Sequence, residues 1–332
     1  MPESSPREFE MSQIERELAE LAGFAGAGPR DIDLPPDSSP EAAGTILRHR
    51  VAKCRDLTLV RLAGPYYMVI ACDSDGGIGP KPHDTVKVPG YLVGRFAARV
   101  PLMEMLASGA RPLVIVDALS VELEPTGREI IEGVRFEASL AGIEGDGAVT
   151  GSTEDNVPTV ATGVGVTVIG LAEERRLRPG TGLPGDIVAA VGIPKSAPGD
   201  AVTVDDPEIA DVPTVMKLAR LAQVHDILPV GSKGIEYEAR QMAASAGLSL
   251  VMTPDPGLNT KKSAGPSTCV LVSVAASRGG YAQMNTDMDT DAHAEAEAEA
   301  EAEEADAERA ALREIARAVG KPVALVGRLV RT

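Results

Sequence analysis

The sequence predicts an α/β (α+β) fold of two domains, because short apolar strand patterns alternate with helical patterns along most of its 332 residues. That length is sufficient for two domains of ordinary size. The contents of 44% hydrophobic and 24% charged residues are typical of globular proteins, so a packed core is expected. Aromatic residues make up only 3%, and Trp is absent, so this core should consist mainly of Val, Leu, Ile and Ala.

The first domain is expected at residues 46–178. Before it, residues 1–45 are rich in Pro, Glu, Ser and Gly, which predicts a mostly flexible extension with one short helical pattern. Ordered structure should begin near Arg48. Strands are predicted at residues 66–72, 112–119 and 163–172, helices at 92–106 and 128–140, a helix C-cap at Gly109, and a turn at 150–159.

The second domain is expected at residues 179–332. Strands are predicted at residues 184–194, 269–276 and 322–330, helices at 214–222 and 307–319, and a loop leading into a helix at 225–247. A low-complexity insert at residues 282–305 contains the tract AEAEAEAEAEE. Its composition is typical of a solvated spacer, although Ala and Glu also favour an extension of the following helix.

The net charge of −17 argues against nucleic acid and anionic membranes as partners. Much of that charge is local, since residues 287–308 hold eleven acidic residues and no Lys or Arg. No apolar signal region or stretch of eighteen apolar residues is found, so a cytoplasmic location is expected. The three cysteines form no CxxC pair, which predicts neither a disulfide framework nor a zinc site. Cys72 and Cys269 lie in apolar runs and are expected to be buried.

The first segment that can carry chemistry is DSDGGIGPK at residues 73–81. The backbone of Gly76, Gly77 and Gly79 can approach phosphates, Lys81 can neutralise their charge, and Asp73 and Asp75 can hold Mg²⁺. Asp75 lies further along the predicted loop, and its side chain is expected to point to solvent. The GxxxxGK[ST] spacing of a Walker loop is absent, and a glycine-rich turn with surface charges remains the alternative. Asp84 is either a further ligand or a turn residue.

Two further segments place carboxylates in contexts that suit a metal. Glu104 lies in the apolar helical pattern VPLMEMLA, where a buried carboxylate needs a cation or metal as its partner. The alternative is an exposed helical position. The polar run Gly151, Ser152, Thr153, Glu154 and Asp155 offers oxygen ligands, with a solvated turn as the alternative.

A fourth segment begins with His225 and Asp226 and continues through Gly231 and Gly234 into a helix. The helix N-terminus can meet an anion, and the His-Asp pair can orient a substrate. No GxSxG, HExxH or GxGxxG element is present, so a serine hydrolase, a zincin or a Rossmann dehydrogenase has no support.

In their order along the chain, these segments resemble the PurM-like superfamily of aminoimidazole ribonucleotide synthetase, thiamine-monophosphate kinase and selenophosphate synthetase. Gly77-Ile78-Gly79-Pro80-Lys81 is similar to the family's Asp-Gly-x-Gly-x-Lys loop. Met103-Glu104 stands where the family has an Asn-Asp pair. Gly151-Ser152-Thr153-Glu154 is similar to its Gly-Gly-Glu/Asp-Thr motif, with the acidic position shifted so that Glu154 and Asp155 remain alternatives. The resemblance covers residues 55–330 apart from the AE tract.

Within the superfamily, ACDSDGGIGPKPHD, LEPTG, GSTEDNVPT, LPVGSKGIEYEA and KKSAGPSTCVLVS resemble the α-ribazole kinases of cobalamin salvage. The resemblance implies a homodimer in which the N-terminal sheets pair into a barrel, a C-terminal α/β domain, and ATP in a cleft shared between subunits. It implies phosphoryl transfer from ATP to a hydroxyl of a small nucleoside-like acceptor.

The resemblance gives the candidate residues their roles. Mg²⁺ is the expected cofactor, with Asp73, Asp75, Glu104, Glu154 and Asp155 as candidate ligands. Lys81 and the glycine backbones, with Gly151, Ser152 and Thr153, are the expected phosphate contacts, and Asp226 is the candidate for orienting or deprotonating the acceptor. The alternatives are another ATP-dependent reaction of this superfamily, thiamine-phosphate kinase-like or synthetase-like, or a non-catalytic ATP-binding dimer.

Overall fold

The computed structural model describes residues 50–145, 147–275 and 290–332, and gives only the backbone course for residues 290–301. The predicted extension at residues 1–45 and the first part of the predicted insert therefore lie outside the described residues. The described chain is a mixed α/β structure with two large sheets, which confirms the α/β part of the predicted fold.

The first sheet has six strands in the order β1-β2-β3-β8-β6-β7, with every neighbouring pair antiparallel except β6 and β7. In chain order the strands of this region are β1 (Val51–Cys54), β2 (Leu57–Arg61), β3 (Tyr66–Gly76), β4 (Ile78–Gly79), β5 (Val86–Lys87), β6 (Arg111–Leu119), β7 (Val149–Thr153) and β8 (Gly163–Glu173). The short strands β4 and β5 form a separate parallel pair next to the sheet.

Two helices, α1 (Gly90–Ala107) and α2 (Arg128–Leu140), cover one face of this sheet. Helix α1 packs on β3 and β8, and α2 packs on α1. The two helices approach closely at Gly94, where a Cβ atom would lie 1.9 Å from the carbonyl oxygen of Ile130. Between them, the fully buried Glu137 pairs with Nε of Arg95 at 2.6 Å and of Arg99 at 2.8 Å.

The second sheet has five strands in the order β10-β12-β9-β13-β11, all antiparallel. Its strands and the helices of this region are β9 (Ile187–Val191), α3 (Val212–Leu218), β10 (Val224–Pro229), α4 (Gly234–Ser245), β11 (Leu248–Met252), β12 (Val270–Val274), α5 (Thr290–Val319) and β13 (Val323–Arg331). All five residues of the central strand β9 are buried, because helices cover both faces of the sheet. The division into domains at residue 178 remains a prediction.

Several elements agree closely with the sequence prediction. The helix predicted at residues 128–140 is observed with those bounds. The C-cap of α1 is Ser108, and Gly109, the predicted C-cap, follows it with a φ of +84°. Helix α5 begins at Thr290, so part of the AE tract does extend the helix that follows it.

Other predictions were wrong, because strand pairing formed where local polarity indicated loops. Strand β3 continues through Asp73–Gly76, since these residues pair with Gly163–Val166 of β8. The predicted turn at 150–159 begins as β7, paired with β6, and His225 and Asp226 lie in β10. Cys72 is exposed, because it alternates with the buried Ala71 along β3, whereas Cys269 is buried as predicted.

No helix among residues 50–145, 147–275 and 290–332 combines the length and the apolar character needed to cross a membrane.

Candidate active site

A cavity of about 710 Å³ is lined by residues of both sheet regions. The first region contributes the turn between β1 and β2, the end of β3 and one face of α1. The second contributes loops near residues 196–202 and 263–267 together with the start of α4. The cavity is large enough for a nucleotide-sized ligand, and such concave sites commonly bind small molecules in proteins.

Five carboxylates line this cavity. Asp73 and Asp75 lie two residues apart on β3, so their side chains share one face of the strand. The five are Asp56, Asp73, Asp75, Glu104 and Glu238. The expectation that Asp75 points to solvent was therefore wrong, because Asp75 belongs to a strand and not to a loop.

Glu104 is the carboxylate with the most perturbed surroundings. Its Oε2 atom is buried and has no hydrogen-bond partner among the described residues. Burial, followed by the negative charges of Asp56, Asp73 and Glu238, raises its pKa to about 8. Without a cation, Glu104 is therefore largely protonated at neutral pH, and a bound cation would favour its ionised form.

The other carboxylates of the cavity are perturbed in the same direction. Burial and the charge of Asp56 raise the pKa of Glu238 to about 7. Burial and the charge of Asp73 raise the pKa of Asp75 to about 6, and burial also raises that of Asp73. Burial and the mutual repulsion of these carboxylates thus outweigh the nearby positive charges, which is the environment that favours binding of a divalent cation.

The carboxylates do not form a complete metal site by themselves. In the parts of the chain that the structure describes, no three His, Cys, Asp or Glu side chains converge closely enough to hold a metal ion. Mg²⁺ commonly binds through one or two carboxylates together with water and the phosphate oxygens of a substrate. The donor set therefore fits a magnesium ion that arrives with a phosphorylated ligand.

The remaining walls of the cavity are cationic and apolar. Lys53 and Lys233 lie at its edge, and Nζ of Lys233 is 3.1 Å from the hydroxyl oxygen of Tyr237. On α1, Leu92, Phe96 and Val100 form a stripe that leads along the cavity wall towards Glu104. A ligand here would meet apolar and charged surfaces in one cavity.

The predicted phosphate residue Lys81 lies outside the lining of this cavity. Its Nζ forms an ion pair with Glu122. Burial alone would raise the pKa of Glu122, but hydrogen bonds from Lys81 and Thr126 lower this pKa to about 2. The loop around Lys81 is held by the buried Asp84, which accepts hydrogen bonds from the backbone N–H groups of Lys81 and Thr162 at 2.8 and 2.7 Å. Asp84 therefore acts as an anchor of this loop.

The GSTED segment also lies outside the cavity lining. Asp155 accepts hydrogen bonds from the Thr153 hydroxyl at 2.7 Å and from the backbone N–H of Leu123 at 3.0 Å. Glu154 accepts the N–H groups of Asn156 and Val157. The structure thus does not bring Glu154 and Asp155 together with the cavity carboxylates within one chain. Gly76, Gly77, Gly79, Gly151 and Ser152 likewise do not line the cavity.

Asp226 is fully buried in an ion pair with Arg55, the residue that precedes Asp56. To act directly on an acceptor hydroxyl, Asp226 would first have to leave this pair. His225 Nδ1 lies 2.8 Å from Oδ2 of Asp186, which gives the imidazole a structural partner.

Sequence reasoning missed Asp56 and Glu238. Glu238 carried a usable signal, because its helical spacing places it on the same face of α4 as the buried Ile235 and Met242. A carboxylate on a buried helical face was the same reason for selecting Glu104. The sequence around Asp56 gave no such signal, because the place of Asp56 in the cavity depends on where the β1–β2 turn meets the second sheet.

Comparison with known proteins gives one family match and several structures of similar fold. Residues 55–172 match the family described as AIR synthase related protein, N-terminal domain. That range includes β2, β3, α1 and the first four cavity carboxylates. No curated protein sequence matches the chain.

Solved structures share the fold over most of the chain. Thiamine-monophosphate kinase from Stenotrophomonas maltophilia is 17% identical, with coverage of 87% of this chain and 92% of that one and a TM-score of 0.52. The hydrogenase maturation protein HypE of E. coli is 16% identical, with coverage of 97% and 91% and a TM-score of 0.52. HypE in complex with ATP is 15% identical, with coverage of 89% and 88% and a TM-score of 0.51. At these identities the likeness establishes the fold alone.

Proposed function

We propose that this protein is an ATP-dependent kinase that phosphorylates a hydroxyl of a small nucleoside-like substrate. The observation that carries the proposal is the acidic cavity, in which the buried Oε2 of Glu104 has no partner among the described residues and four other carboxylates line the same space. A site of this kind is suited to a cation that accompanies phosphate groups. The match of residues 55–172 and the fold shared with an ATP-bound structure support ATP as that ligand.

The cavity carboxylates would hold the cofactor Mg²⁺. Asp73, Asp75 and Glu104 are candidate ligands from the sequence, and Asp56 and Glu238 are further candidates from the cavity lining. One or two of these carboxylates would bind the ion together with water and phosphate oxygens. When bound, Mg²⁺ would neutralise the charge on the phosphates and on the transferring group. The chain itself contributes by fixing its carboxylates on a strand, two helices and a turn, which keeps them in place without a ligand.

The phosphate contacts would come from two places. Lys53 and Lys233 lie at the cavity, whereas Lys81, the glycine loop, Gly151–Thr153 and the acids Glu154 and Asp155 form a separate polar region. If two chains share each ATP, as the superfamily resemblance implies, the second region of one subunit would complete the cavity of its partner. This arrangement keeps Lys81, Glu154 and Asp155 as proposed site residues of a homodimer.

Among the described residues, the uncovered face of the first sheet supports such a homodimer. Met68, Ile70, Ile169 and Leu171 point away from α1 and are only half-buried, whereas Val69 and Val168 on the other face are fully buried. The same half-buried apolar face of a second subunit could pack against this one, and both copies of the face would then be buried.

The proposed acceptor is α-ribazole, on the basis of the sequence strings that resemble α-ribazole kinases. A thiamine-phosphate-type acceptor is the second candidate, because the fold is shared with a thiamine-monophosphate kinase. The test is an ATP-consumption screen with α-ribazole, hydroxymethyl-pyrimidine and thiamine phosphates, and formylglycinamidine ribonucleotide, followed by product identification by mass. We expect ADP and a product heavier than α-ribazole by one phosphoryl group. ATP consumption with another acceptor alone would redirect the assignment, and none with any acceptor would contradict it.

A further inference from the structure

The turn between β1 and β2 joins the two sheet regions through one buried ion pair. Its two residues, Arg55 and Asp56, separate Cys54 from Leu57, which pair directly. The Arg55 guanidinium is 5% exposed and binds the fully buried Asp226 of β10 through both terminal nitrogens, with Nη1 3.0 Å from Oδ1. Its Nε also donates to the Ser245 hydroxyl at the end of α4, at 3.1 Å.

Every oxygen of this pair is satisfied. Asp226 also accepts the backbone N–H of Gly180 at 2.9 Å and that of Ile227 at 2.8 Å, so each carboxylate oxygen receives two donors. Two parallel hydrogen bonds between a guanidinium and a carboxylate fix orientation as well as distance. The pair therefore holds the turn in one position relative to the second sheet.

The backbone of the turn indicates that this position is specifically maintained. Arg55 has a φ of +56°, in the left-handed region that residues with a Cβ atom seldom adopt. Such conformations persist where surrounding contacts impose them, and they are concentrated at functional sites. A two-residue hairpin turn itself requires a positive φ at its first residue, and the side-chain contacts of Arg55 hold a residue other than glycine in that place.

Asp56, the next residue, lines the cavity, and no other described side chain binds its carboxylate. Its exposed carboxylate makes no hydrogen bond or ion pair with the rest of the described chain, yet it raises the pKa values of Glu104 and Glu238. Its distance from Glu104 on α1 and Glu238 on α4 therefore depends on where the turn is fixed.

We propose that Arg55 and Asp226 are positioning residues, whose buried ion pair sets the Asp56 carboxylate against Glu104 and Glu238 in the cavity. This inference rests on the proposed function, since it assigns these residues to the binding of a Mg²⁺-nucleotide. It gives Asp226 an indirect role, acting through the turn and not on the acceptor hydroxyl.

The test is a double-mutant cycle on the dissociation constant for ADP with Mg²⁺, measured by isothermal titration calorimetry. Arg55→Lys keeps the charge but loses the planar fork, and we expect binding about tenfold weaker, as for Asp56→Asn. Because Arg55 acts through Asp56, adding Arg55→Lys to Asp56→Asn should weaken binding by less than about threefold further. A merely structural effect of Arg55→Lys would be similar in both backgrounds.

The control is Arg328→Lys, which alters an arginine paired with Glu304 and Glu308 away from the cavity and should leave binding unchanged. If Arg55→Lys does not fold, Arg55→Met with Asp226→Asn takes its place, since it leaves no unpaired buried charge. The inference would be overturned if the losses of affinity from Arg55→Lys and Asp56→Asn multiply fully in the double variant. An unchanged dissociation constant in the folded Arg55 variant would also overturn it. A wild-type protein that does not bind Mg²⁺-ADP would instead contradict the proposed function.

Discussion

Glu104 combines a buried carboxylate with three negatively charged neighbours, so its effect on stability should depend on pH. Its pKa is about 8 in the folded chain against a reference value of 4.5, so folding favours the protonated form. The stabilisation from the proton is fully present below pH 4.5 and is lost as pH rises through 8.

We therefore expect Glu104→Gln to raise the thermal midpoint at pH 9 in EDTA, by the equivalent of at least about 1 kcal/mol, with little change at pH 4. Circular dichroism melts across this range would measure the difference. The exposed Glu144→Gln is the control and should show no such trend. A Glu104→Gln variant that is less stable at pH 9 would show that the carboxylate has a partner in the folded protein.

Asp73 and Asp75 should matter to a similar degree for turnover, because they share one face of β3. Replacing either by Asn removes a charged ligand of nearly the same shape, so turnover should fall by at least roughly a hundredfold. The Mg²⁺ concentration needed for half-maximal rate should rise in both variants. Steady-state kinetics against Mg²⁺ would test this, with Asp205→Asn, at an exposed residue outside the cavity lining, as control. Near-normal kinetics in Asp73→Asn would contradict Mg²⁺ binding by the Asp73 carboxylate.

At this scale the sequence predicted three of the five cavity carboxylates. Asp73, Asp75 and Glu104 were accessible because glycines and an apolar helix surround them in the sequence. Asp56 was not, since the contact that places it joins residues 55 and 226, which no local pattern relates.

At the scale of elements, the packing of α1 on α2 depends on one buried acid. Glu137 is fully buried between Arg95 and Arg99, and replacing it by Gln would leave two buried guanidinium groups without a counter-charge. We expect Glu137→Gln to destabilise the fold by about 3 kcal/mol, measured by urea unfolding. Glu132→Gln, on the exposed side of the same helix, should change stability by less than about 0.5 kcal/mol. Similar midpoints for the two variants would contradict this account of the helix interface.

Helices were predicted more accurately than polar strands. The helix at residues 128–140 could be recognised from local sequence, because the apolar residues of a helix face recur every three or four positions. Strands β7 and β10 could not be recognised in the same way, since TGST and VHDILP become strands only by pairing with β6 and β12.

At the scale of the whole molecule, we expect a homodimer formed through the uncovered face of the first sheet. Sedimentation at micromolar concentration should give twice the chain mass of 34.5 kDa. Ile169→Glu places a charge on that face and should give monomers with unchanged helix content. A wild-type protein that sediments only as a monomer would remove the basis for an ATP site shared between subunits.

The most direct test of the central claim is the Mg²⁺ dependence of ATP binding to the wild-type protein. The acidic cavity should repel free ATP and accept it only with a divalent cation, because five carboxylates line the space that the phosphates would enter. Isothermal titration calorimetry should therefore detect ATP binding in the presence of Mg²⁺ and at least roughly a hundredfold weaker binding in EDTA. Equal affinity in both conditions, or no binding in either, would contradict a Mg²⁺-nucleotide site in this cavity.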